Sequence, residues 1–256
     1  MSILDKFRLD NRVALVTGGN RGLGKQMATA LAEAGAQVAL TSRSAADAQA
    51  VAAQISEATG RACRGYACEI TDAAQVEGLA QQVLSDFGQV DILVNNAGIN
   101  IRRPIEELTL EEFKLVQETN VTGPWVLCRA LAPHFKARKY GRIINIGSTL
   151  SIISIADRTP YASSKGAILQ MTRTLALEWA PYGVTVNCVM PGPFGTEMNQ
   201  SLMENPEAYQ SFIAKIPLGR WGDIEEIGGI AVFLGSDASS FITGAAITID
   251  GGWTVQ

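Results

Sequence analysis

The sequence predicts a single α/β domain, a doubly wound parallel sheet of seven strands with helices on both faces. Short apolar runs alternate with helical patterns along all 256 residues. Several of these runs are continuously apolar, as is typical of strands that helices cover on both faces. No internal repeat or low-complexity linker interrupts the series. The expected strands are residues 12–17, 37–41, 61–67, 91–95, 142–146, 185–190 and 246–249.

Helix boundaries are marked by capping residues between these strands. We expect helices over residues 23–34 and 72–87, each followed by a glycine suited to a left-handed C-cap. Thr109-Leu110-Glu111-Glu112 has the spacing of a capping box and should begin another helix. The Gly/Pro-rich start and polar remainder of residues 193–215 predict a substrate lid, not a domain boundary.

The overall charge argues against several classes of partner. The net charge is -4 with 18% charged residues and no long basic run, so neither nucleic acid nor an anionic membrane is expected. A small-molecule substrate is the better expectation. The apolar runs have strand length, too short to span a bilayer. The first residues lack the pattern of a secretory signal, which predicts a soluble protein of the cytoplasm.

Cysteine and histidine usage argues against a metal site. The 4 cysteines lack paired metal-binding spacing and are expected to be reduced core thiols. His134 is the only histidine and is expected on the surface near a helix end. A Ser-His-Asp triad or a histidine-rich zinc site would depend on this one imidazole, so we expect no metal and no triad.

A glycine-rich turn follows the first strand and leads directly into a helix. It reads Thr17-Gly18-Gly19-Asn20-Arg21-Gly22-Leu23-Gly24, with the spacing Gly-x-x-x-Gly-x-Gly. Such a turn lets the backbone approach a pyrophosphate, whose charge is met by amides at the helix N-terminus. A plain connecting turn is the alternative. The candidate cofactor-binding residues here are Gly18, Asn20, Arg21, Gly22, Leu23 and Gly24.

The end of the second strand favours NADP over NAD. Sites for NAD usually have an acidic residue there that binds the ribose hydroxyls. This chain has Thr41-Ser42-Arg43 instead. We expect Ser42, Arg43 and Arg21 to bind the 2′-phosphate, because guanidinium groups suit phosphate. The alternative is that both arginines are solvated.

Polar residues after the fourth and fifth strands converge on an acid/base pair. Asn95-Asn96-Ala97-Gly98 and Ser148 follow these strands, at the sheet edge where ligands bind in this architecture. Tyr161 and Lys165 stand at i and i+4, on one helix face. A lysine ammonium beside a phenol lowers its pKa toward the range useful for proton transfer. The joint placement of these groups predicts hydride transfer with Tyr161 as acid/base.

With these residues in place, the chain resembles the short-chain dehydrogenases/reductases over essentially its whole length. The motifs that match are at residues 17–24, 95–98, 120, 148, 161, 165, 191–196 and 250–252. The resemblance implies a Rossmann-like fold and catalytic roles for Asn120, Ser148, Tyr161 and Lys165. It adds the cofactor-binding candidates Glu69, Ile70, Asn96, Ala97, Gly98, Tyr161, Lys165, Pro191, Gly192, Phe194 and Thr196. Glu69 departs from the family, whose members usually carry aspartate against the adenine.

The resemblance also implies a mechanism. Ser148 and Tyr161 would hydrogen-bond the substrate oxygen, and Tyr161 would supply the proton when NADPH reduces the carbonyl. Lys165 would lower the phenol pKa and hold the nicotinamide ribose, and Asn120 would position a water. Ordinary readings remain open for three of these residues: Ser148 as a helix cap, Asn120 at a helix bend, and Lys165 as a surface charge.

Within this family the chain is most similar to sugar-acid members such as gluconate 5-dehydrogenase. The similar stretches are residues 98–104, 219–223 and 250–253. Arg102 and Arg103 are candidate substrate-binding residues, because guanidinium suits a carboxylate; solvated loop charges are the alternative. A 3-oxoacyl-[acyl-carrier-protein] reductase remains the rival enzyme, and a non-catalytic cofactor-binding regulatory protein the rival of another class. The family implies a homotetramer, with Trp253 at an interface.

Overall fold

The computed structural model describes residues 2–255, which form one domain around a seven-stranded parallel sheet. The strands are β1 Val13–Val16, β2 Gln37–Ser42, β3 Cys63–Ala67, β4 Ile92–Asn95, β5 Gly141–Ile146, β6 Val184–Pro191 and β7 Ala246–Ile249. Their order is β3-β2-β1-β4-β5-β6-β7, and every neighbouring pair is parallel. The predicted fold class is confirmed, and each strand end lies within two residues of its expected position.

Helices connect the strands and cover both faces. They are α1 Gly22–Glu33, α2 Ala45–Thr59, α3 Ala73–Phe87, α4 Leu110–Gln117, α5 Gly123–Arg138, α6 Thr159–Trp179, α7 Gln200–Met203, α8 Pro206–Ile213 and α9 Gly228–Gly235. Residues of α1, α2 and α9 form one apolar cluster with the sheet, and residues of α3, α5 and α6 form another on the opposite face. The central strands β1, β4, β5 and β6 are buried between these layers, which explains their largely apolar sequences, whereas the edge strands β3 and β7 are partly exposed.

Side-chain caps begin the helices where the sequence indicated. At α3, Asp72 Oδ1 accepts hydrogen bonds from the amides of Ala74 (3.0 Å) and Gln75 (3.2 Å). At α4, Thr109 and Glu112 form the expected reciprocal capping box. These contacts satisfy amides that have no partner within the helix.

The sheet edge opposite the strand carboxyl ends is held by a wholly buried carboxylate. Asp91 accepts hydrogen bonds from the Val13 amide (2.8 Å), Gln89 Nε2 (2.8 Å) and Arg138 Nη1 (2.9 Å). Arg12 Nη1 lies 3.6 Å from Asp91 Oδ1, the oxygen that also accepts from Arg138. A buried charge with this many donors is costly to disrupt.

The histidine and cysteines differ in part from expectation. His134 is half-buried and not a free surface residue, because its Nε2 lies 3.1 Å from the Val90 amide and accepts its hydrogen bond. Burial lowers the pKa of His134. All four cysteines are free thiols, three of them buried, whereas Cys63 is half-buried. Among residues 2–255, no helix is long and apolar enough to cross a membrane.

Candidate active site

A cavity of about 1020 Å³ opens at the carboxyl ends of the strands. It lies beside β1, which has β2 and β3 on one side and β4 on the other. Ligands bind at such a reversal of strand order in open α/β sheets. All the predicted cofactor-binding residues line this cavity, as do Ser148, Tyr161, Lys165 and Arg102; Asn120 and Arg103 do not.

The glycine-rich turn and the start of α1 form one end of the cavity, and their geometry fits a dinucleotide phosphate. At Gly24, an added Cβ would lie 2.2 Å from the Gly18 carbonyl oxygen, so only glycine allows the turn. Arg21 at the N-cap makes no side-chain cap, and the first turn of α1 contains no acidic residue. The first amides of α1 therefore remain available to an anion, which is the arrangement that binds pyrophosphate.

The turn is held by the loop that follows β4. Asn96 Nδ2 donates to the carbonyl oxygens of Thr17 (2.9 Å) and Gly18 (3.1 Å). Thr17 Oγ1 in turn accepts hydrogen bonds from the amides of Asn96 and Ala97, both at 3.0 Å. Asn96 thus positions the turn with both amide hydrogens, in addition to lining the cavity.

The far end of the cavity contains the residues expected to contact the adenosine. Arg43 is exposed there, next to Ser42. Asp47, which the sequence did not single out, also lines this end. Glu69 Oε1 accepts a hydrogen bond from Thr71 Oγ1 (3.1 Å), so the carboxylate is turned toward its own loop. Sequence reasoning missed Asp47 because it belongs to the first turn of α2, outside the motif at the strand end.

Arg21 makes a different contact from the one expected. Its Nε lies 3.5 Å from Glu197 Oε2, and both side chains are largely exposed. Glu197 belongs to the segment expected to be a lid. Arg21 therefore joins the glycine-rich turn to that segment, whereas Arg43 lines the cavity beside Ser42.

The tyrosine and lysine lie on α6, facing the end of β5. Lys165 is buried, its Nζ donates to the Ile146 carbonyl oxygen at 2.7 Å, and it lies 5.5 Å from the centroid of the Tyr161 ring. Lys165 is therefore not a surface charge. Ser148 follows two residues after Ile146, and its Oγ accepts a hydrogen bond from the Leu150 amide at 3.1 Å. Ser148 thus caps a short turn and also lines the cavity, and its catalytic role stays a prediction.

Burial has the largest effect on the pKa values of both Tyr161 and Lys165. Burial lowers the pKa of Lys165 to about 8. Burial also raises the pKa of Tyr161, while hydrogen bonding by Ser148 and the charge of Arg102 act in the opposite direction. The sequence predicted a phenol pKa lowered by Lys165. In this geometry desolvation outweighs the favourable charges, and Arg102 is the cation that acts on the phenol.

Asn120 lies behind the cavity wall at a bend in the helix. It belongs to a π-helical turn, Glu118–Thr122, between α4 and α5. Its Oδ1 accepts from the Ile99 amide (2.9 Å), and its Nδ2 donates to the Ile99 carbonyl (3.0 Å) and Ser164 Oγ (3.0 Å). Single π-turns within helices are frequent at functional sites. The side chain of Asn120 joins the loop after β4 to the helix that carries Tyr161 and Lys165.

The two candidate substrate arginines have separate environments. Arg102 is half-buried, lines the cavity, and donates from Nη2 to Asn199 Oδ1 at 2.7 Å. Arg103 points elsewhere: its Nη1 lies 3.1 Å from Glu112 Oε1, and half of its side chain is exposed. Arg103 does not line the cavity, contrary to expectation, because successive side chains of an extended loop face in different directions.

Aromatic rings from the expected lid and from two later segments line the cavity together. The expected lid, residues 193–215, contains α7, α8 and a short turn at Glu197–Asn199. Phe212 of α8 packs against Trp221 (5.8 Å between ring centroids) and Trp253 (5.8 Å), and all three rings line the cavity. Trp253 therefore lines the cavity of its own chain, and its place at a subunit interface stays a prediction. These contacts join segments distant in sequence, so no local pattern indicated them.

Comparisons with known proteins agree with this geometry. A family model described as enoyl-(acyl carrier protein) reductase matches residues 18–254. The chain belongs to the short-chain dehydrogenase/reductase family. It is accordingly an NAD(P)-dependent oxidoreductase acting on CH–OH groups.

Individual relatives within the family differ in substrate. The chain is 40% identical to a 2-dehydro-3-deoxy-D-gluconate 5-dehydrogenase of Pseudoalteromonas atlantica, over 98% of this chain and 99% of the relative. It is 38% identical to a 3-oxoacyl-[acyl-carrier-protein] reductase of Vibrio cholerae, over 96% and 98%. A crystal structure of a gluconate 5-dehydrogenase from Burkholderia cenocepacia, in complex with NADP and tartrate, superposes with a TM-score of 0.97 at 36% identity, with both chains fully covered.

Proposed function

We propose that this enzyme interconverts a secondary alcohol and a ketone on a sugar acid, with NADP as the preferred cofactor. The observation that carries the proposal is a single cavity with the glycine-rich turn at one end, Ser148, Tyr161 and Lys165 in its wall, and Arg102 among its lining residues. Hydride chemistry needs the first two features, and an anionic substrate explains the third. Similarity to sugar-acid dehydrogenases supports the same substrate class.

The roles of the catalytic residues follow from their chemistry. Bound NADP would accept or supply the hydride at its nicotinamide ring. In the oxidative direction, the Tyr161 phenolate accepts the proton of the substrate hydroxyl; in the reductive direction, the phenol returns it. The Ser148 hydroxyl donates a hydrogen bond to the same substrate oxygen. Lys165, held at the Ile146 carbonyl, would hold the ribose of the bound cofactor through its ammonium, and Asn120 would position a water next to it.

Cofactor preference is proposed from the charges at the adenosine end. Arg43 would bind the 2′-phosphate, and Ser42 would add a hydrogen bond. Asp47 lines the same end and works against the phosphate by charge repulsion. The proposal is therefore a preference for NADP and not exclusion of NAD.

The substrate end supports a polyhydroxy acid over an acyl thioester. Arg102 meets a carboxylate, and Asn100 Oδ1 is buried without a hydrogen-bond partner among residues 2–255, so it can accept from a substrate hydroxyl. The rival, a 3-oxoacyl-[acyl-carrier-protein] reductase, shares the catalytic residues. Its thioester substrate, however, offers no free carboxylate for Arg102 to bind. A regulatory protein without turnover would have no use for the buried lysine, whose burial is costly.

The segment of residues 193–215 is proposed as the substrate lid. Two contacts support this role: the Arg21–Glu197 pair and the Arg102–Asn199 hydrogen bond both join the segment to the body of the domain at the cavity. A homotetramer in the cytoplasm completes the proposal. Exposed apolar side chains such as Trp125 on α5 and Leu177 on α6 support self-association.

A substrate and cofactor panel tests the proposed function. Purified enzyme is assayed with NADP+ and NAD+ against gluconate and 2-dehydro-3-deoxygluconate, and with NADPH against 5-ketogluconate and acetoacetyl thioesters. We expect turnover of at least one sugar acid, with a higher kcat/KM for the NADP pair. Turnover of thioesters alone would refute the sugar-acid proposal and support the rival.

A further inference from the structure

One arginine in the cavity wall has no assigned role. Arg158 is the N-cap residue of α6, three positions before Tyr161. It is half-buried and lines the cavity that contains Tyr161 and Arg102. Its Nη1 donates to the Asp157 carbonyl oxygen at 3.1 Å. No motif surrounds Arg158 in the sequence, so only the folded chain reveals that it lines the cavity.

Two guanidinium groups therefore share this part of the cavity. Arg102 lies on the loop after β4, and Arg158 is the N-cap residue of α6. Both side chains line the same cavity, and burial together with the charge of Arg102 lowers the pKa of Arg158. Arg102 also acts electrostatically on the Tyr161 phenol. The two cations and the phenol thus form one cluster in the wall.

Arg158 differs from the arginines that pair with carboxylates elsewhere in the domain. Arginines elsewhere, such as Arg138 and Arg142, pair with Asp91 and Asp237. By contrast, Arg158 forms no salt bridge with a carboxylate of residues 2–255. Burial lowers the pKa of both Arg102 and Arg158, which reflects the cost of desolvating each charge. A desolvated guanidinium in a concave wall, with a second guanidinium in the same wall, attracts an anion, because the anion relieves the cost of desolvation.

Carboxylate is the anion that fits the proposed chemistry. A guanidinium binds carboxylate through two parallel hydrogen bonds, and two guanidinium groups can hold both of its oxygens. Asn199 Oδ1 already accepts from Arg102 Nη2 at 2.7 Å, which holds that side chain in place from the lid segment. The carboxylate would then lie near Tyr161, and the carbon that bears the reacting oxygen would face the phenol.

We propose that Arg102 and Arg158 together bind the substrate carboxylate and select hydroxy acids over neutral polyols and thioesters. This inference rests on the proposed function, because it names the part of the substrate that the same site recognises. Arg158 is a specificity residue in this scheme and takes no part in proton transfer.

Ligand binding tests the inference without turnover. Enzyme loaded with NADP+ is titrated calorimetrically with tartrate, and in parallel with threitol, which has the same carbon chain without carboxylates. The variants are Arg158→Gln, Arg158→Lys and, as a matched control, Arg103→Gln, whose arginine is exposed and paired with Glu112 outside the cavity. Thermal melting of each variant verifies folding.

We expect Arg158→Gln to weaken tartrate binding about 10- to 100-fold, the range for loss of a hydrogen-bonded charge. Arg158→Lys should restore part of the affinity, Arg103→Gln should bind as wild type, and threitol affinity should be the same in all four proteins. In turnover of a sugar acid, Arg158→Gln should raise KM by a similar factor with kcat within about twofold of wild type.

Two results would overturn the inference: unchanged tartrate affinity in Arg158→Gln, or an equal loss of threitol affinity. Absence of tartrate binding to the wild type at millimolar concentration would overturn it as well. Failure of the proposed function is seen separately, as absence of sugar-acid turnover by the wild type. If the wild type binds tartrate through Arg158 but oxidises no sugar acid, the proposed carboxylate site is supported and only the proposed reaction is refuted.

Discussion

The Lys165 ammonium donates a 2.7 Å hydrogen bond to the main-chain carbonyl of Ile146, the last residue of β5. This contact joins the helix that carries Tyr161 to the strand end that leads into Ser148. Lys165 is 5% exposed, so the bond is made at the expense of desolvating the ammonium. The catalytic geometry is therefore stabilised by a group whose own burial opposes folding.

Lys165→Met should change how stability depends on pH. A lysine whose pKa is lowered from 10.5 to about 8 binds fewer protons in the folded chain than in the unfolded chain. Its contribution therefore opposes folding fully below about pH 8, and this cost is lost as pH rises toward 10.5. The free energy of unfolding of wild type minus that of Lys165→Met should rise by about 2 to 3 kcal/mol from pH 7 to pH 10. Urea unfolding at both pH values measures it, and a pH-independent difference would contradict the buried ammonium.

Tyr161→Phe should separate proton transfer from cofactor binding. The variant keeps the ring that lines the cavity and loses only the hydroxyl, so we expect kcat to fall about 10²- to 10⁴-fold. The NADPH dissociation constant, followed by quenching of tryptophan fluorescence, should stay within about twofold of wild type. Tyr182→Phe, at an exposed position away from the cavity, serves as the control. Full activity in Tyr161→Phe would remove the acid/base role.

Arg102→Gln should displace the pH profile of alcohol oxidation. Oxidation needs the phenolate, and the pKa of Tyr161 is raised by burial while the charge of Arg102 counteracts that rise. Without Arg102 the pKa of Tyr161 rises further, so the pH at which kcat is half-maximal should move upward. The measurement uses saturating substrate, so that weaker binding does not enter. Arg158→Gln should leave this midpoint in place, and an equal displacement in both variants would contradict the specific role of Arg102.

Arg43→Ala should reduce the preference for NADP+ over NAD+. Loss of a guanidinium at the 2′-phosphate should raise the dissociation constant of NADP+ about 10- to 100-fold, with that of NAD+ nearly unchanged. Equilibrium binding of both dinucleotides measures the two constants. Arg61→Ala is a matched control, because Arg61 pairs with Asp10 away from the cavity. An equal rise in the dissociation constants of both dinucleotides would show that Arg43 does not bind the 2′-phosphate.

Two aspartates near Arg12 should differ sharply in their effect on stability. Asp91 is wholly buried with three close donors, so Asp91→Asn should lower the free energy of unfolding by about 3 to 5 kcal/mol. Asp237 pairs with Arg142 at 3.1 Å but has 55% of its side chain exposed, so Asp237→Asn should cost about 1 kcal/mol or less. Denaturant unfolding compares the two, and similar losses would contradict the difference in burial.

Local sequence patterns were sufficient for the fold and for the reacting groups. Each buried strand is an apolar run of its own, and each cap, such as Asp72 at α3, lies within three residues of the amides it satisfies. The glycine-rich turn and the Tyr161–Lys165 spacing are likewise short-range features. The sequence alone predicts their chemistry, because residues that are close along the backbone remain close in space.

Which charges face the substrate was decided only by the tertiary structure. Arg102, Arg103 and Arg158 are similar in sequence terms, but the loop after β4 turns Arg102 into the cavity and Arg103 toward Glu112. The N-terminus of α6 brings Arg158 to the same wall, and the lid segment supplies Asn199. The reversed direction of the Tyr161 pKa shift has the same origin, since desolvation depends on everything packed around the phenol. Long-range packing sets both side-chain direction and local dielectric, and neither is encoded in the spacing of residues along the chain.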